Sequence, residues 1–158
     1  MNKTVDTKAP LWTRKEIIIE APLENVWNLQ TTIENWPQWQ SDITAAQLEG
    51  GLAVGSIFRW KAKGLKIVST LHTVQPQHQI GWTGDSLGMF AIHNWTFTAQ
   101  QQGTKVTTEE SLSGWMARLL KLFDSHFLEK SLEATLQTLK QQWRQPDNTY
   151  FNSPETAR

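Results

Sequence analysis

The sequence predicts an α+β fold in which a curved antiparallel sheet of about seven strands wraps around a long C-terminal helix. Two observations carry this prediction. Between residues 41 and 112, short runs of alternating apolar and polar residues are interrupted by Gly, Pro and Asp, which is typical of antiparallel strands joined by tight turns. Residues 115–145 contain neither Gly nor Pro, which favours a helix.

The length of the chain predicts one folded domain. At 158 residues, a single domain buries roughly 70% of the surface that its unfolded chain exposes. We expect an N-terminal extension over residues 1–10, the domain over residues 11–143 and a polar tail over residues 144–158. The N-terminus lacks a signal-peptide core, and no apolar run approaches the roughly 18 residues of a membrane span. A cytoplasmic location is therefore expected.

The first elements are a strand and two short helical segments. The β-branched run "EIII" predicts a strand over residues 11–20, and Pro22 is well placed at the start of a helix. One face of that helix carries Leu23, Val26, Trp27 and Gln30. Pro37 prevents a second long helix, so Trp36 and Trp39 are expected on a helical turn or loop.

The six remaining strands follow without long connections. Their turns are expected at "KG", "QPQ", "GDSLG" and "QQQG", where Gly, Pro and Asp favour reversal of the chain. Because the connections are short, strands that are neighbours in sequence are expected to be neighbours in the sheet. The strands are predicted near residues 42–48, 56–62, 65–74, 78–84, 88–98 and 104–112.

The C-terminal helix carries two apolar arcs that do not line up at about 100° per residue. Such a mismatch indicates either a break near residues 124–127 or a helix that packs against two different surfaces, and we favour a break or a kink. The first arc comprises Trp115, Leu119, Leu122 and Phe123. The second arc comprises Leu128, Leu132, Leu136, Leu139 and Trp143.

Composition excludes several classes of function. The chain has no cysteine, which rules out disulfides, thiolate metal sites and cysteine nucleophiles. Fifteen basic residues balance fifteen acidic ones, so no net charge attracts nucleic acid. Nine tryptophans accompany one tyrosine and six phenylalanines, which suits a core or the wall of a ligand cavity. His72 and His78 lack a convincing third ligand, so neither a metal nor another cofactor is expected.

The hairpin closed by "QQQG" sets which side chains share a face. If Phe97 lies opposite Val106, then the antiparallel register places Trp95 opposite Thr108 and His93 opposite Glu110. These side chains are expected on the concave face. The alternate residues, Asn94 and Thr107 among them, are expected to meet solvent on the other face. Equivalent pairing across "KG" puts Trp60 and Phe58 inward, opposite Ile67 and Ser69.

The inward-facing residues predict an aromatic chamber with few polar groups, in which the first arc of the C-terminal helix forms a lid. His93 and Glu110 are either a structural pair that joins two strands or a functional pair that orients a ligand or transfers protons. The predicted ligand-binding residues are Trp36, Trp39, Phe58, Trp60, Ser69, Leu71, Trp82, Met89, His93, Trp95, Thr108, Glu110, Trp115, Leu119 and Phe123.

Several segments resemble the helix-grip fold of the SRPBCC superfamily, which includes START and Bet v 1-like proteins, and in particular its polyketide cyclase/dehydrase and lipid transport family. The resemblance spans residues 12–143 and rests on "IIIEAPLENVWNLQTTIENWPQW", "GSIFRWKAKGLKIVSTLHTVQP", "IGWTG", "HNWTF", "TKVTTEESLSGW" and "LEATLQTLKQQ". It implies a cavity for a hydrophobic molecule between the sheet and the long helix. The family has no universal catalytic motif to transfer to this chain.

Three hypotheses follow. The first is a protein that binds a hydrophobic or aromatic small molecule such as a lipid, polyketide or isoprenoid-like compound. The second is a polyketide cyclase or dehydratase that uses His93 and Glu110 as acid and base. The third is a protein-interaction module resembling chaperone-activating members of the superfamily, which would have a filled core. The basic hairpin around Lys61, Lys63 and Lys66 is either simply solvated or docks on an anionic surface.

Overall fold

The computed structural model describes residues 2–143, and it confirms the predicted fold class. A seven-stranded antiparallel sheet has the order β1-β7-β6-β5-β4-β3-β2, and two helices follow it in sequence. The predicted tail over residues 144–158 lies outside the described residues. The elements are β1 Leu11–Ile19, α1 Leu23–Thr31, a 3-10 turn Ile33–Asn35, α2 Trp36–Trp39, β2 Ile43–Leu48, β3 Ile57–Ala62, β4 Leu65–Gln75, β5 Gln79–Ser86, β6 Met89–Gln100, β7 Gly103–Ser113, α3 Trp115–Phe123 and α4 Phe127–Gln141.

The strands from β2 to β7 form successive hairpins, and β1 returns to pair with β7. The last hairpin turn requires glycine at position 103. The φ of Gly103 is 137°, and a Cβ there would lie only 2.1 Å from the Ile19 carbonyl oxygen, so no side chain fits. The register of the last hairpin is the predicted one, with His93 opposite Glu110 and Trp95 opposite Thr108. The concave face of the sheet is therefore set by the alternation in the sequence.

The C-terminal helical region is broken, as its two apolar arcs predict. Helix α3 ends at Phe123, and the backbone N–H of Asp124 closes its last turn on the Leu120 carbonyl oxygen at 2.7 Å. Helix α4 then begins at Phe127 and buries Leu128, Leu132, Leu136 and Leu139 against the concave side of the sheet. Neither α3 nor α4, nor any other helix within residues 2–143, has the length and apolar content needed to cross a membrane.

The convex face of the sheet differs from the expectation. Asn94 and Thr107 are buried rather than exposed to solvent, and the N-terminal segment crosses the strands beside Asn94. The Asn94 amide donates to the Lys3 carbonyl oxygen at 2.8 Å, and the Lys3 N–H donates to Nδ1 of His72 at 3.2 Å. The Asp6 N–H donates to the Ser111 hydroxyl at 3.0 Å. Part of the predicted extension is thus bound to the domain.

Candidate functional site

A cavity of about 220 Å³ lies between the concave face of the sheet, the α1–α2 region and α4. Helix α4 covers it with the face that carries Leu128, Leu132, Thr135 and Thr138, while strands β3 to β7 supply the opposite wall. The wall is mostly apolar and aromatic, which is the usual composition of a small-molecule site. The space remains because α4 packs closely against β1 and β7 but bridges the middle of the curved sheet.

Many of the predicted binding residues border this cavity. They come from different elements, which meet because the strand order brings their alternate side chains to one face. The predicted residues on the wall are Trp36, Trp60, Ser69, Trp82, Met89, His93, Trp95 and Glu110.

Four other predicted residues are packed beside the cavity rather than on its wall. Phe58 and Leu71 are fully buried in the main core, and Trp39 packs against its edge. Thr108 is also fully buried, and its hydroxyl lies 2.8 Å from Nε2 of His93. Thr108 therefore acts on the site through His93.

The prediction that α3 forms the lid was wrong. Trp115, Leu119 and Phe123 are 57%, 41% and 81% exposed, and none of them borders the cavity. The lid is α4 instead. Helical periodicity identifies an apolar arc but does not say what the arc packs against, and the second arc, which contains Leu128 and Leu132, is the one that covers the sheet.

Trp36 closes one end of the cavity. Its ring lies 5.6 Å from the ring of Phe58, 5.4 Å from that of Trp60 and 5.7 Å from that of Trp82. The indole N–H donates to the Gln30 carbonyl oxygen at 2.9 Å, which fixes the ring on the short α2 turn. Edge-to-face contacts between aromatic rings stabilise such clusters. This end of the wall is therefore rigid.

His93 lies between two aromatic rings, with centroid distances of 4.9 Å to Trp82 and 5.4 Å to Trp95. Its Nε2 contacts the Thr108 hydroxyl, which donates if this nitrogen is unprotonated and accepts if it carries the proton. Nδ1 of His93 lies 3.6 Å from Oε2 of Glu110, which is beyond hydrogen-bond range. The ring is thus held by Thr108 and stacking, and the Glu110 carboxyl is left available to the cavity.

Burial controls the ionisation of both groups. Desolvation lowers the pKa of His93 to about 3. Desolvation also raises the pKa of Glu110 to about 8, and the positive charge of Lys63 opposes this only partly. Both groups are therefore uncharged at neutral pH, and their contact is not an ion pair. The result is a carboxylic acid that can donate a hydrogen bond into an apolar cavity.

Three further polar atoms on cavity residues are buried without a partner among residues 2–143. They are Oε1 of Gln30, Nε1 of Trp95 and Oγ of Ser86. A buried polar atom that lacks a hydrogen bond costs about 1–3 kcal/mol, so a molecule in the cavity that supplied these bonds would be stabilised. Together with Glu110 these groups offer a ligand both donors and acceptors of hydrogen bonds, since the Trp95 indole donates and the side-chain amide oxygen of Gln30 accepts.

Sequence reasoning missed part of the wall. Gln30 follows the apolar face of α1, which was a usable signal, whereas Ser86 and Gly84 lie beside a predicted turn that gives no hint of their role. The polar residues Ser131, Thr135 and Thr138 of α4 were missed because apolar spacing along the helix does not mark polar positions.

Within residues 2–143 no three His, Asp or Glu side chains converge on a common point where a metal ion could bind.

The family follows from comparison with known proteins. The model of the polyketide cyclase/dehydrase and lipid transport family matches residues 13–144. The chain therefore belongs to this family. A protein from Streptomyces halstedii named as a candidate polyketide cyclase is 42% identical over 36 residues, which are 23% of this chain and 33% of that protein.

Solved structures share the fold at low identity. The hypothetical protein jhp0584 from Helicobacter pylori has a TM-score of 0.77 at 13% identity, over 91% of this chain and 98% of that one. A START superfamily protein from Mycobacterium smegmatis gives 0.70 at 14% identity, over 84% and 97%. The di-domain ARO/CYC protein BexL of the BE-7585A biosynthetic pathway gives 0.67 at 18% identity, over 88% of this chain and 52% of that one.

Proposed function

We propose that this protein binds a small, mainly aromatic molecule that carries a hydrogen-bonding group, in the cavity beneath α4. The observation that carries the proposal is an apolar, aromatic cavity whose wall includes the Glu110 carboxyl and three residues that hold unpartnered buried polar atoms, Gln30, Ser86 and Trp95. A filled core would be expected of a pure interaction module, so the cavity argues against the third hypothesis.

The size of the cavity restricts the ligand. An apolar cavity of about 150 Å³ holds benzene, so a volume of about 220 Å³ accommodates roughly nine or ten non-hydrogen atoms. A bicyclic ring system fits this limit, whereas a two-chain phospholipid exceeds it. The flat rings of Trp36, Trp60, Trp82 and Trp95 favour stacking with an aromatic ligand over contact with a flexible chain.

Calorimetric titration with β-naphthol and with naphthalene tests the proposal. The two molecules have nearly the same apolar surface, so a hydroxyl that pairs with Glu110 or Trp95 should make β-naphthol bind roughly tenfold more tightly. Equal affinities would contradict a polar anchor. Native mass spectrometry of freshly purified protein, followed by denaturing extraction, would identify a molecule that copurifies.

A matched pair of variants locates the ligand. Ala91→Leu adds volume on the cavity wall and should abolish β-naphthol binding, whereas Ala53→Leu makes the same change at an exposed loop position. Circular dichroism melting checks that both variants are folded. Unchanged affinity in folded Ala91→Leu would place the ligand elsewhere.

A catalytic role is the second candidate, and the raised pKa of Glu110 favours it. A carboxylic acid that stays protonated near neutral pH can act as a general acid on a carbonyl or a leaving hydroxyl group. His93 is a weaker candidate for the base, because the lowered pKa makes its imidazole a poor proton acceptor. The chemistry that fits best is acid-assisted dehydration, with His93 orienting the substrate.

The aldol adduct of benzaldehyde and acetone provides a simple probe, because loss of water gives benzalacetone, which absorbs in the near ultraviolet. General acid catalysis typically contributes about 10²–10⁴-fold, so Glu110→Gln should abolish most turnover while β-naphthol still binds. The rate should fall as the pH rises through about 8, where Glu110 loses its proton. If Glu110→Gln turned over the adduct as fast as the parent, Glu110 would not be a general acid and the proposed function would be binding alone.

A further inference from the structure

Helix α3 exposes the side chains that a surface helix ordinarily buries. Trp115 is 57% exposed, Leu122 82% and Phe123 81%, whereas Ala117 is the one residue of α3 that is buried. Leu87, in the adjoining β5–β6 turn, is 68% exposed. We define the α3 patch as the exposed residues Leu87, Trp115, Leu119, Leu122 and Phe123.

The α3 patch is continuous. At about 100° per residue, the four residues of α3 that belong to the patch fall within an arc of about 100° on the side away from Ala117. Trp115 lies directly on the β5–β6 turn, since a Cβ at Gly88 would come within 2.4 Å of its ring. This contact joins Leu87 to the helical residues. The exposed apolar area is on the order of 600 Å², which is the upper limit for an ordinary monomer surface and marks an interaction site.

Positive charge adjoins one side of the α3 patch. On the helical wheel Arg118 lies about 40° from Leu122 and borders the patch, whereas Lys121 lies about 60° further round, toward Ala117; both are exposed. Helix α3 has no acidic residue. Asp124, which follows the helix, is engaged by the Lys130 ammonium group. An apolar arc of Trp, Leu and Phe with cations at its border is the composition of a helix that lies in a membrane interface.

The patch also lies beside the opening of the cavity. Ser86 and Met89, on either side of the turn that holds Leu87, border the cavity, and so does Phe127 just beyond the end of α3. The exposed side chain of Lys63 borders the opening as well, with its Nζ 5.0 Å from the centre of the Phe127 ring. A surface that covered the patch would therefore face the route by which a ligand enters.

We propose that the α3 patch docks this protein on an anionic lipid membrane, with the cavity opening turned toward the bilayer. Charge favours a membrane over a second copy of the chain, because α3 carries no acidic residue with which Arg118 or Lys121 of a second copy could pair in a two-fold interface between these helices. Lipid phosphates, in contrast, pair with both cations.

Cosedimentation with vesicles tests the docking surface. Vesicles of phosphatidylcholine mixed with phosphatidylglycerol should bind the protein, and vesicles of phosphatidylcholine alone should bind it about tenfold more weakly. The double variant Leu122→Ser/Phe123→Ser should bind at least tenfold more weakly than the parent, because two side chains that would enter the bilayer are removed. Both residues are so exposed that the fold should not change. Val54→Ser, an exposed apolar residue outside the patch, is the control and should bind normally.

Charge and oligomeric state complete the test. Arg118→Gln/Lys121→Gln should lose roughly tenfold on the mixed vesicles and nothing on the neutral ones. Absence of vesicle binding by the parent, or binding unaffected by Leu122→Ser/Phe123→Ser, overturns the proposal. A dimer in analytical ultracentrifugation that the same double variant dissolves also overturns it, in favour of a second copy. Only the route for ligand exchange rests on the proposed function, since vesicle binding without β-naphthol binding would leave the docking surface intact.

Discussion

Each face of the sheet buries one histidine, and the two sites differ in what lies beyond the ring. His93 on the concave face and His72 on the convex face are 8% and 7% exposed, and burial lowers the pKa of both. His93 borders a cavity. His72 lies beneath the N-terminal segment and against Gly81, where there is no room even for a Cβ. A buried histidine in a strand is thus no sign of a ligand site by itself, and the space around it decides.

The substitution Gly81→Ala should have the largest effect, and it tests whether the space around His72 on the convex face is fully occupied. A Cβ there would lie 2.4 Å from Oδ1 of Asn94 and 2.5 Å from Cε1 of His72, so Gly81→Ala should destabilise the fold by about 2–3 kcal/mol in urea denaturation. Gly84→Ala is the matched change toward the cavity, where the nearest atom is Ser69 Oγ at 3.3 Å. It should cost less than about 1 kcal/mol. If Gly81→Ala and Gly84→Ala lost the same stability, the two faces of the sheet would not differ in free space.

Deletion of residues 2–8 should have the next largest effect. It removes the bonds that Lys3 makes to His72 and Asn94 and that Asp6 makes to Ser111, each worth about 0.5–1.5 kcal/mol. We expect a loss of about 2 kcal/mol in stability and no change in β-naphthol affinity. A change in affinity would show that the convex face is coupled to the cavity.

Stability should depend on pH through the concave site. Burial raises the pKa of Glu110 from 4.5 to about 8, so the folded chain keeps a proton that the unfolded chain releases. The stability that this proton provides is complete below pH 4.5 and is lost as the pH rises toward 8. Both buried histidines have pKa values below the ordinary 6.5, so just above that pH the unfolded chain still holds protons that the folded chain lacks, and the histidines add a small rise in stability that partly opposes the Glu110 loss.

Urea denaturation at pH 6.5 and pH 8 measures this loss. The parent should lose on the order of 1 kcal/mol between the two pH values, and Glu110→Gln should remove that loss. Glu109→Gln, on the opposite face of the same strand, should behave like the parent. A parent whose stability stays flat over this range would mean that Glu110 is ionised in the fold.

The same contrast shows what the sequence could and could not predict. The inward orientation of His93 and Glu110 was predictable, because strict alternation excludes a slip of one residue, whereas their pairing depended on the position of the turn, since a slip of two would keep both inward but unpaired. That the N-terminal segment covers Asn94 could not be predicted, because the sequence around Lys3 has no periodic pattern and the segment binds through its backbone. The apolar arc of α3 was found but given the wrong partner, since spacing records which side of a helix is apolar and not what covers it.

The smallest effect expected, and the most specific test of the concave site, concerns one indole N–H. Nε1 of Trp95 and Nε1 of Trp39 are both buried without a partner within residues 2–143, but of the two only Trp95 borders the cavity. Trp95→Phe should weaken β-naphthol binding about fivefold, as expected for one neutral hydrogen bond of about 1 kcal/mol, and should leave naphthalene binding nearly unchanged. Trp39→Phe should change neither. Equal losses for the two ligands in Trp95→Phe would mean that the ring packs against the ligand without donating to it, and the polar anchor would then have to be another group on the wall, such as Glu110 or Gln30.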